Sequence, residues 1–288
     1  MKGFEDNERY CDSIISHYNQ VEKYYKFFWD LNKSLAFHTG LWHENTKNLR
    51  EALKNENKLV AKMAKIKKSD YILDAGCGVG GTSIFLAKEY GCRIVGINLS
   101  ESQVESALKN AEIHNFDNKI KFLQMNYMKT NFKSKTFDVV IFVESSCYAP
   151  DKKKLFKEIF RIIKPKGRLV ILDGFFSKSS YTPNETKLLQ KGMNGWAVKS
   201  FDTVENYTKF ANDSGFINVR YENLTDKIME SLRKAFIFSI PAFVFNKVGQ
   251  YFNMTTKVEV DIFRAAILQY IAVKRNLVEC GIFCAQKK

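Results

Sequence analysis

The 288-residue chain has no stretch that is long and apolar enough to cross a membrane. Its longest apolar run, 235–245, holds 11 residues and contains Pro241, whereas a spanning helix needs about 20. The first nine residues are largely charged or polar and have no apolar core, so a secretory signal is not predicted. We therefore expect a cytoplasmic protein that does not span a membrane.

Regularly spaced cysteine pairs are also missing. The six cysteines are scattered, and the closest pair, Cys280 and Cys284, matches neither a zinc pattern nor a redox C-x-x-C motif. We expect these thiols to stay reduced, as in a cytosolic setting, and we predict no metal site.

Signatures of nucleic-acid binding are absent despite a net charge of +14. Such a charge makes a nucleic acid or an anionic surface a candidate partner. The lysines, however, occur singly or in short groups such as 152–154, and no RRM, KH, zinc-finger or helix-turn-helix pattern accompanies them. The pattern favours a solvated basic surface over a nucleic-acid footprint.

The most informative feature that is present is a glycine-rich turn within 71–81, YILDAGCGVGG. Its apolar start predicts a buried strand, and a helix is predicted from Thr82. Gly76, Gly78 and Gly80 allow a tight turn and let a ligand approach the backbone N–H groups at the helix start. No phosphate-binding Gly-Lys-Ser/Thr follows the turn, Asn98 and Asn126 offer partners for a ribose and an adenine, and an aromatic segment precedes it; together these features favour a nucleoside-like ligand over a dinucleotide.

Strands and helices alternate after this turn. Further strands are predicted at 92–98, 120–125, 137–143 and 168–173, with a sixth at 215–221 and a last one at 277–285. The alternation predicts an α/β fold with a doubly wound, mostly parallel sheet whose last strand is antiparallel. In such sheets ligands bind at the carboxyl ends of the strands. Four polar residues fall at those ends: Asp74, Asn98, Asn126 and Glu144.

Helical signals fill the remaining segments. A helix is predicted at 46–65 with Asn45 or Thr46 as its N-cap, and Ser100 with Gln103 predicts a capping box. The predicted organisation is an N-terminal helical lid (1–66), a nucleoside-binding core (67–174), a cap insertion (175–202), a core helix and strand (203–222), a helical substrate cap (223–276) and a last core strand (277–288).

Several motifs together resemble one protein family. The segment 73–81 is similar to the first motif of class I S-adenosylmethionine-dependent methyltransferases. The segment 96–103, GINLSESQ, resembles the second-strand motif of a small-molecule branch related to sterol, tocopherol and cyclopropane-fatty-acid methyltransferases. The resemblance covers nearly the whole chain and includes the segments 38–42, 137–151, 162–167, 195–196 and 215–216.

The resemblance implies S-adenosylmethionine as the cofactor and assigns residues to its parts. The implied cofactor-binding residues are Asp74, Gly76, Gly78 and Gly80 on the methionine side, Asn98, Leu99 and Gln103 near the ribose, Asn126 and Tyr127 near the adenine, and Tyr18, Tyr25 and His38 in the lid. Asn126 stands where relatives commonly have Asp, and Tyr148 stands where relatives often have His.

Glu144 and Tyr148 are the candidate catalytic residues. Glu144 could take a proton from the acceptor or stabilise a cation, since burial in a cleft would raise its pKa. Alternatively, it holds the lid through hydrogen bonds. Methyl transfer is an in-line displacement, so a dedicated base is optional when donor and acceptor are well placed.

The acceptor is predicted to be a small, largely apolar or aromatic metabolite, methylated at carbon, oxygen or nitrogen, because the cap is rich in Phe. The alternatives are a methyltransferase of small amines such as glycine derivatives, an RNA-modifying methyltransferase, and a binding module without activity. The run 236–245 with its basic neighbours is a candidate for contact with a membrane surface. Against this, Pro241 predicts a break in the helix there. The sequence does not predict an oligomeric state.

Overall fold

The computed structural model describes residues 2–116 and 118–288, with side chains described from residue 8 onwards. The helices are α1 (Lys2–Phe28), α2 (Leu31–Ser34), α3 (Leu49–Ala64), α4 (Gly81–Tyr90), α5 (Glu101–Ile113), α6 (Lys152–Ile162), α7 (Pro183–Gly195), α8 (Val204–Ser214), α9 (Thr225–Tyr251) and α10 (Lys257–Lys274). The strands are β1 (Tyr71–Ala75), β2 (Arg93–Asn98), β3 (Ile120–Gln124), β4 (Phe137–Val143), β5 (Ile163–Phe176), β6 (Phe216–Asn223) and β7 (Val278–Lys287).

The seven strands form one sheet in the order β3-β2-β1-β4-β5-β7-β6. The first five pair in parallel, and β7 lies antiparallel between β5 and β6. Asp74 pairs with Gly96 of β2 on one side and with Ile141 of β4 on the other, so the carboxyl ends of three strands meet at one edge. The predicted fold class is confirmed.

Alternate residues of the central strands point into two separate apolar cores. Ile72 and Ile94 belong to one core, whereas their neighbours Leu73 and Val95 belong to the other. Side chains of α3, α4, α5 and α10 fill the first core, and side chains of α6 and α8 fill the second. Burial on both faces explains why these strands are almost continuously apolar.

Two predictions of helix capping need correction. Helix α3 begins at Leu49, and its N-cap is Asn48, whose side chain accepts from the N–H of Glu51. Thr46 is not a cap because its hydroxyl accepts from the N–H of His43 in the preceding turn. The α5 helix begins after Ser100 as predicted, but its capping box is incomplete, as the site geometry below explains.

Pro241 does not break the helix in which it lies, contrary to the prediction. Helix α9 runs without interruption from Thr225 to Tyr251. Pro241 is exposed, so water can bind the backbone carbonyl one turn earlier that loses its N–H donor. Strand β5 also starts earlier than predicted, at Ile163, with an irregular register opposite β4 before Arg168. Among the described helices, none has the length and apolar composition needed to cross a membrane.

Candidate functional site

A deep cleft lies over the carboxyl ends of the parallel strands and encloses about 1700 Å³ of empty space, counted out to its open mouth. Most of the residues singled out from the sequence line it: Tyr18, Tyr25, His38, Asp74, Gly76, Gly78, Asn98, Leu99, Gln103, Tyr127, Glu144 and Tyr148. Gly80 and Asn126 are not part of this lining. One part of the cleft is formed by the carboxyl ends of the strands and by the N-terminal segment, and we call this part the strand end.

The glycine turn at the strand end depends on the absence of side chains. Gly76 has a φ of +83°, and a Cβ there would lie 2.5 Å from the Cβ of Ser145. Gly78 has a φ of +54°, and a Cβ there would lie 3.1 Å from the ring of Phe37. Gly80 packs against the ring of Phe122 beneath the turn. Gly76 and Gly78 line the cleft, so the backbone of the turn forms a surface that a ligand can approach closely.

Asp74 follows directly on the apolar part of β1 and is buried. Its Oδ2 accepts a hydrogen bond of 2.7 Å from the hydroxyl of Ser83, near the start of α4. Burial raises the pKa of Asp74 to about 6, and the hydrogen bonds from Ser83 oppose that rise. The carboxylate thus helps to fix the start of α4 against the turn and presents negative charge to the cleft.

Asn98 and Gln103 form a pair at the end of β2. Asn98 donates from Nδ2 to Gln103 Oε1 at 2.7 Å, and its Oδ1 accepts from the N–H of Ser100. A complete capping box would also need a hydrogen bond from the N–H of Ser100 to Oε1 of Gln103. Both of these groups bond to Asn98 instead, so the predicted box is only half formed. The Nε2 of Gln103 is buried and has no hydrogen-bond partner among the described residues. An unmatched donor at this position fits a ligand hydroxyl.

Asn126 and Tyr127 differ in placement although they are adjacent. Asn126 turns back on its own loop, where its Oδ1 accepts from the N–H of Met128 at 2.8 Å. Its Nδ2 lies 3.5 Å from the sulfur of Cys11. Tyr127 lines the cleft and donates from its hydroxyl to the carbonyl of Ser145. The structure therefore places only Tyr127 at the strand end.

Aromatic rings from the N-terminal segment cover the glycine turn. Phe37 packs edge-on against Tyr18 and Tyr25 of α1, with ring centroids 5.5 and 4.8 Å apart. His38 is buried beside Glu56 of α3, and its Nδ1 lies 3.2 Å from a carboxylate oxygen of Glu56. Burial is the largest single effect on the pKa of His38 and lowers it, but the charge and hydrogen bond of Glu56 together with the charges of Glu144 and Asp74 outweigh burial, so the pKa is raised. These contacts hold the covering segment against the core.

Glu144 connects the same segment to the end of β4. Its Oε1 accepts from both the N–H and the hydroxyl of Thr39, at 2.9 and 2.5 Å. Its Oε2 receives no hydrogen bond from any described residue. Burial and the nearby charge of Glu56 raise the pKa of Glu144 to about 8, while His38 and the Thr39 bonds oppose the rise. Glu144 also has a φ of +49°, unusual for a residue with a side chain.

Tyr148 lies in a 3-10 turn, Ser146–Tyr148, that follows Glu144. Its hydroxyl donates to the carbonyl of Trp196 at 3.2 Å, so Tyr18, 2.9 Å away, is the donor in the pair of hydroxyls. Burial raises the pKa of Tyr148 well above its usual value. Asp173 fixes the turn by accepting from the hydroxyl of Ser146 and from the N–H of Cys147. Tyr148 thus joins α1 to the segment after α7.

The other part of the cleft is almost entirely apolar, and we call it the apolar end. Its walls come from α7, α9, α10, β7 and the segment after α7: Leu188, Leu189, Gly192, Met193, Trp196, Val198, Phe201, Ile228, Leu268, Ala272, Val273, Val278 and Cys280. Two polar residues, Gln269 and Glu279, also line it, and the two oxygens of Glu279 accept hydrogen bonds from Tyr221 and Asn223. No Lys or Arg lines the cleft in the part of the chain that the structure describes.

Sequence reasoning missed several residues of this site. Thr39 lies in the segment 38–42 that was singled out and Phe37 directly precedes that segment, so their place in the sequence could have indicated them. Glu56 gave no signal, because a charged residue within a helix usually faces solvent. The residues at 188, 189, 192, 193 and 196 recur with helical spacing, and this pattern could have indicated a shared face of α7.

Comparison with known proteins gives consistent results. Residues 73–171 match the family model described as a methyltransferase domain. The sterol 24-C-methyltransferase of Kluyveromyces lactis is 32% identical over 166 residues, which are 58% of this chain and 43% of the relative. The sterol 24-C-methyltransferase ERG6 of Saccharomyces cerevisiae is 27% identical over 221 residues, 76% of this chain and 56% of the relative. The chain thus spans about half the length of these curated relatives.

Solved structures share the fold at low identity. The cyclopropane synthase MmaA2 from Mycobacterium tuberculosis has a TM-score of 0.81 at 16% identity, covering 96% of this chain and 98% of that one. A geranyl diphosphate methyltransferase in complex with GPP and sinefungin has a TM-score of 0.77 at 17% identity, covering 97% and 100%. The arrangement of sheet and helices is therefore one that methyltransferases use.

Proposed function

We propose that this chain, which belongs to the class I S-adenosylmethionine-dependent methyltransferases, moves a methyl group to a small, lipophilic and uncharged acceptor. The observation that carries this proposal is the division of the cleft. Its strand end has a glycine turn, a buried carboxylate and an unmatched amide donor, whereas its apolar end has no basic side chain among the described residues.

The residues at the strand end fit S-adenosylmethionine. Gly76 and Gly78 line the cleft with their backbone, and Asp74 presents negative charge that suits the ammonium group or the positive sulfur of the cofactor. The free Nε2 of Gln103 suits a ribose hydroxyl. When bound, the cofactor supplies an electrophilic methyl group. Of the residues predicted to bind the cofactor, Asn126 and Gly80 do not line the cleft, so they would affect cofactor binding only indirectly.

The lid and the cap have a simple role in this proposal. We propose that the N-terminal segment is the lid, and that α7, α9 and α10 are the cap, as the sequence suggested. Thr39 bonds to Glu144 and its carbonyl accepts from Ser231 of α9, so the lid joins the strand end to the cap. A closed cleft excludes water and fixes the orientation of the acceptor, which together supply much of the rate of a displacement reaction.

Glu144 has two roles in this proposal. Its Oε1 holds the lid through Thr39, and its unpartnered Oε2 accepts a proton from the acceptor. A carboxylate whose pKa is about 8 is basic enough for this step near neutral pH. Tyr148 orients the cleft wall, because its hydrogen is already donated to Trp196 and its high pKa keeps it protonated.

The composition of the apolar end argues against the alternatives. A phosphate or carboxylate on the acceptor would enter a cleft that is lined by several acidic groups and by no Lys or Arg among the described residues, which is unfavourable. RNA would meet the same obstacle. A small amine would need a free carboxylate in the apolar end, but Glu279 is already paired with Tyr221 and Asn223. We further propose a cytoplasmic location, which suits the six unpaired cysteine thiols.

Calorimetry and a labelling experiment test the proposal. We expect S-adenosylmethionine to bind, and Asp74→Ala to weaken binding about tenfold to a hundredfold, because charged hydrogen-bonding groups contribute about 1.5–3 kcal/mol. Asp213→Ala, an exposed site on α8, is the matched control and should leave affinity unchanged. With methyl-labelled cofactor and a fractionated lipid extract, the label should enter neutral lipids. Absence of cofactor binding, or label only in anionic lipids, would overturn the proposal.

A further inference from the structure

Helix α9 carries a large exposed apolar surface outside the cleft. It consists of Ile237, Phe238, Ile240, Val244, Phe245, Val248, Tyr251 and Phe252, whose exposed fractions range from 44% to 83%. Their spacing of three and four residues places them on one face of the helix. Single exposed apolar residues are ordinary, but a contiguous group of this size marks an interaction surface. We call it the α9 surface.

The α9 surface continues onto the lid helix. Phe28 of α1 packs against Phe238, with ring centroids 5.6 Å apart, and also against Phe27, at 4.9 Å. Phe27 is 80% exposed. Tyr25, two residues earlier on the same helix, lines the cleft. The two helices that carry the exposed surface therefore also contribute to the cleft wall, since Ile228 of α9 lines the cleft as well.

Basic residues border the α9 surface. Residues 233–254 contain Arg233, Lys234 and Lys247 but no acidic residue. Arg233 and Lys234 both pair with Glu230, which precedes them on α9, whereas Lys247 donates to the side chain of Gln250. Lys26, beside Phe27, adds a partly exposed ammonium group, although it pairs with Glu22. An apolar face with aromatic residues and a basic border is typical of helices that lie in the interface of an anionic bilayer. A second copy of this chain, with its own charge of +14, would bring two basic borders together.

We propose that the α9 surface docks this protein on the surface of an anionic lipid bilayer. The side chains of Phe245, Tyr251 and Phe252 enter the boundary between headgroups and acyl chains, while the basic border contacts the headgroups. The continuous course of α9 through Pro241 makes this arrangement possible, because it keeps the apolar residues on one face. The proposal does not depend on the reaction in the cleft.

Vesicle flotation tests this proposal with the full chain. We expect binding to vesicles of phosphatidylcholine with phosphatidylglycerol, weaker binding to phosphatidylcholine alone, and a decrease at high salt. The double variant Phe245→Asp/Phe252→Asp should lose at least about tenfold in binding, since each burial contributes substantially to interfacial affinity. Ile113→Asp, at an exposed apolar site on α5, is the matched control and should bind as the wild type does.

Three results would overturn the proposal. The first is the absence of binding to anionic vesicles at low salt, and the second is unchanged binding of the double variant. The third is a stable wild-type dimer in light scattering with a monomeric double variant, which would assign the α9 surface to a second copy. Thermal melting of each variant checks that it is folded, and cofactor binding by calorimetry should be unchanged in the double variant.

Discussion

The two ends of the cleft are built in different ways. The strand end is formed largely by residues that directly follow β1, β2 and β4, and its polar groups are tied by hydrogen bonds such as that from Asn98 to Gln103. The apolar end is formed by α7, α9, α10 and β7, which are far apart in the sequence. Its one acidic residue among those described, Glu279, accepts hydrogen bonds from residues outside the cleft.

The difference between the two ends of the cleft indicates where ligand recognition is specific. Directed hydrogen bonds at the strand end select one ligand, because an unpaired buried polar group is costly. The apolar end selects by shape and by the exclusion of charge, and such selection discriminates less sharply between similar molecules. We expect this protein to be strict about its methyl donor and more tolerant towards its acceptors.

Glu144 stands between the two ends, and its replacement gives the largest expected effect. In Glu144→Gln the amide oxygen can still accept from Thr39, so the lid remains held while the proton acceptor is lost. We expect turnover to fall by at least about a hundredfold with little change in cofactor affinity. In the wild type, turnover should rise with pH through about 8, and the variant should lack this inflection.

The same variant has a predicted effect on stability. The pKa of Glu144 is raised from 4.5 to about 8 in the folded state, so unfolding releases a proton between these values. The wild-type free energy of unfolding should therefore decline as pH rises through this window. Glu144→Gln should flatten that decline in thermal melts. Thr39→Val, which removes only the hydroxyl bond, is the control for the lid. Unchanged turnover in Glu144→Gln would remove Glu144 from the chemistry.

A substitution at Gly192 tests whether the apolar end of the cleft acts independently of the strand end. A Cβ at Gly192 would meet only Leu268, at an ordinary 3.6 Å, so a larger side chain can be accommodated and would extend into the apolar end. We expect Gly192→Leu to keep cofactor affinity and to lose about tenfold to a hundredfold in turnover, because it displaces the acceptor. The measurements are calorimetry and the labelling assay.

Gly195 provides the contrast on the same helix. A Cβ there would lie 2.4 Å from the carbonyl of Asp261 in α10, so Gly195→Ala should lower the melting temperature instead.

The Gly192→Leu variant also has an outcome that contradicts its prediction. If it lost cofactor binding as much as turnover, the strand end and the apolar end of the cleft would not be independent.

The smallest expected effects are those of replacing two asparagines at strand ends. Asn98→Ala should weaken cofactor binding about tenfold, since it removes the partner that orients Gln103. Asn126→Ala should change affinity less than about twofold, because Asn126 bonds within its own loop and does not line the cleft. Calorimetry on both variants decides this, and a larger effect at Asn126 would contradict the observed placement.

Much of the strand end could be predicted because its residues are neighbours in the chain. Asp74 lies near the end of β1, the glycine turn follows it, and Gln103 lies in the first turn of the helix after β2. Parallel strands bring those strand ends to one edge of the sheet. The orientation of a single side chain could not be predicted in this way. Asn126 was assigned to the ligand from its position, but the nearby N–H of Met128 takes its oxygen.

The sequence by itself determined the alternation of strands and helices, the position of the glycine turn and the segment that covers it, because these follow from local periodicity and from residues adjacent in the chain. Only the tertiary structure decided that Glu144 binds Thr39, that Glu56 lies beside His38 and that α9 exposes one apolar face. Each of these depends on contacts between distant segments, and local pattern carries no information about which of several apolar or charged faces another element will cover.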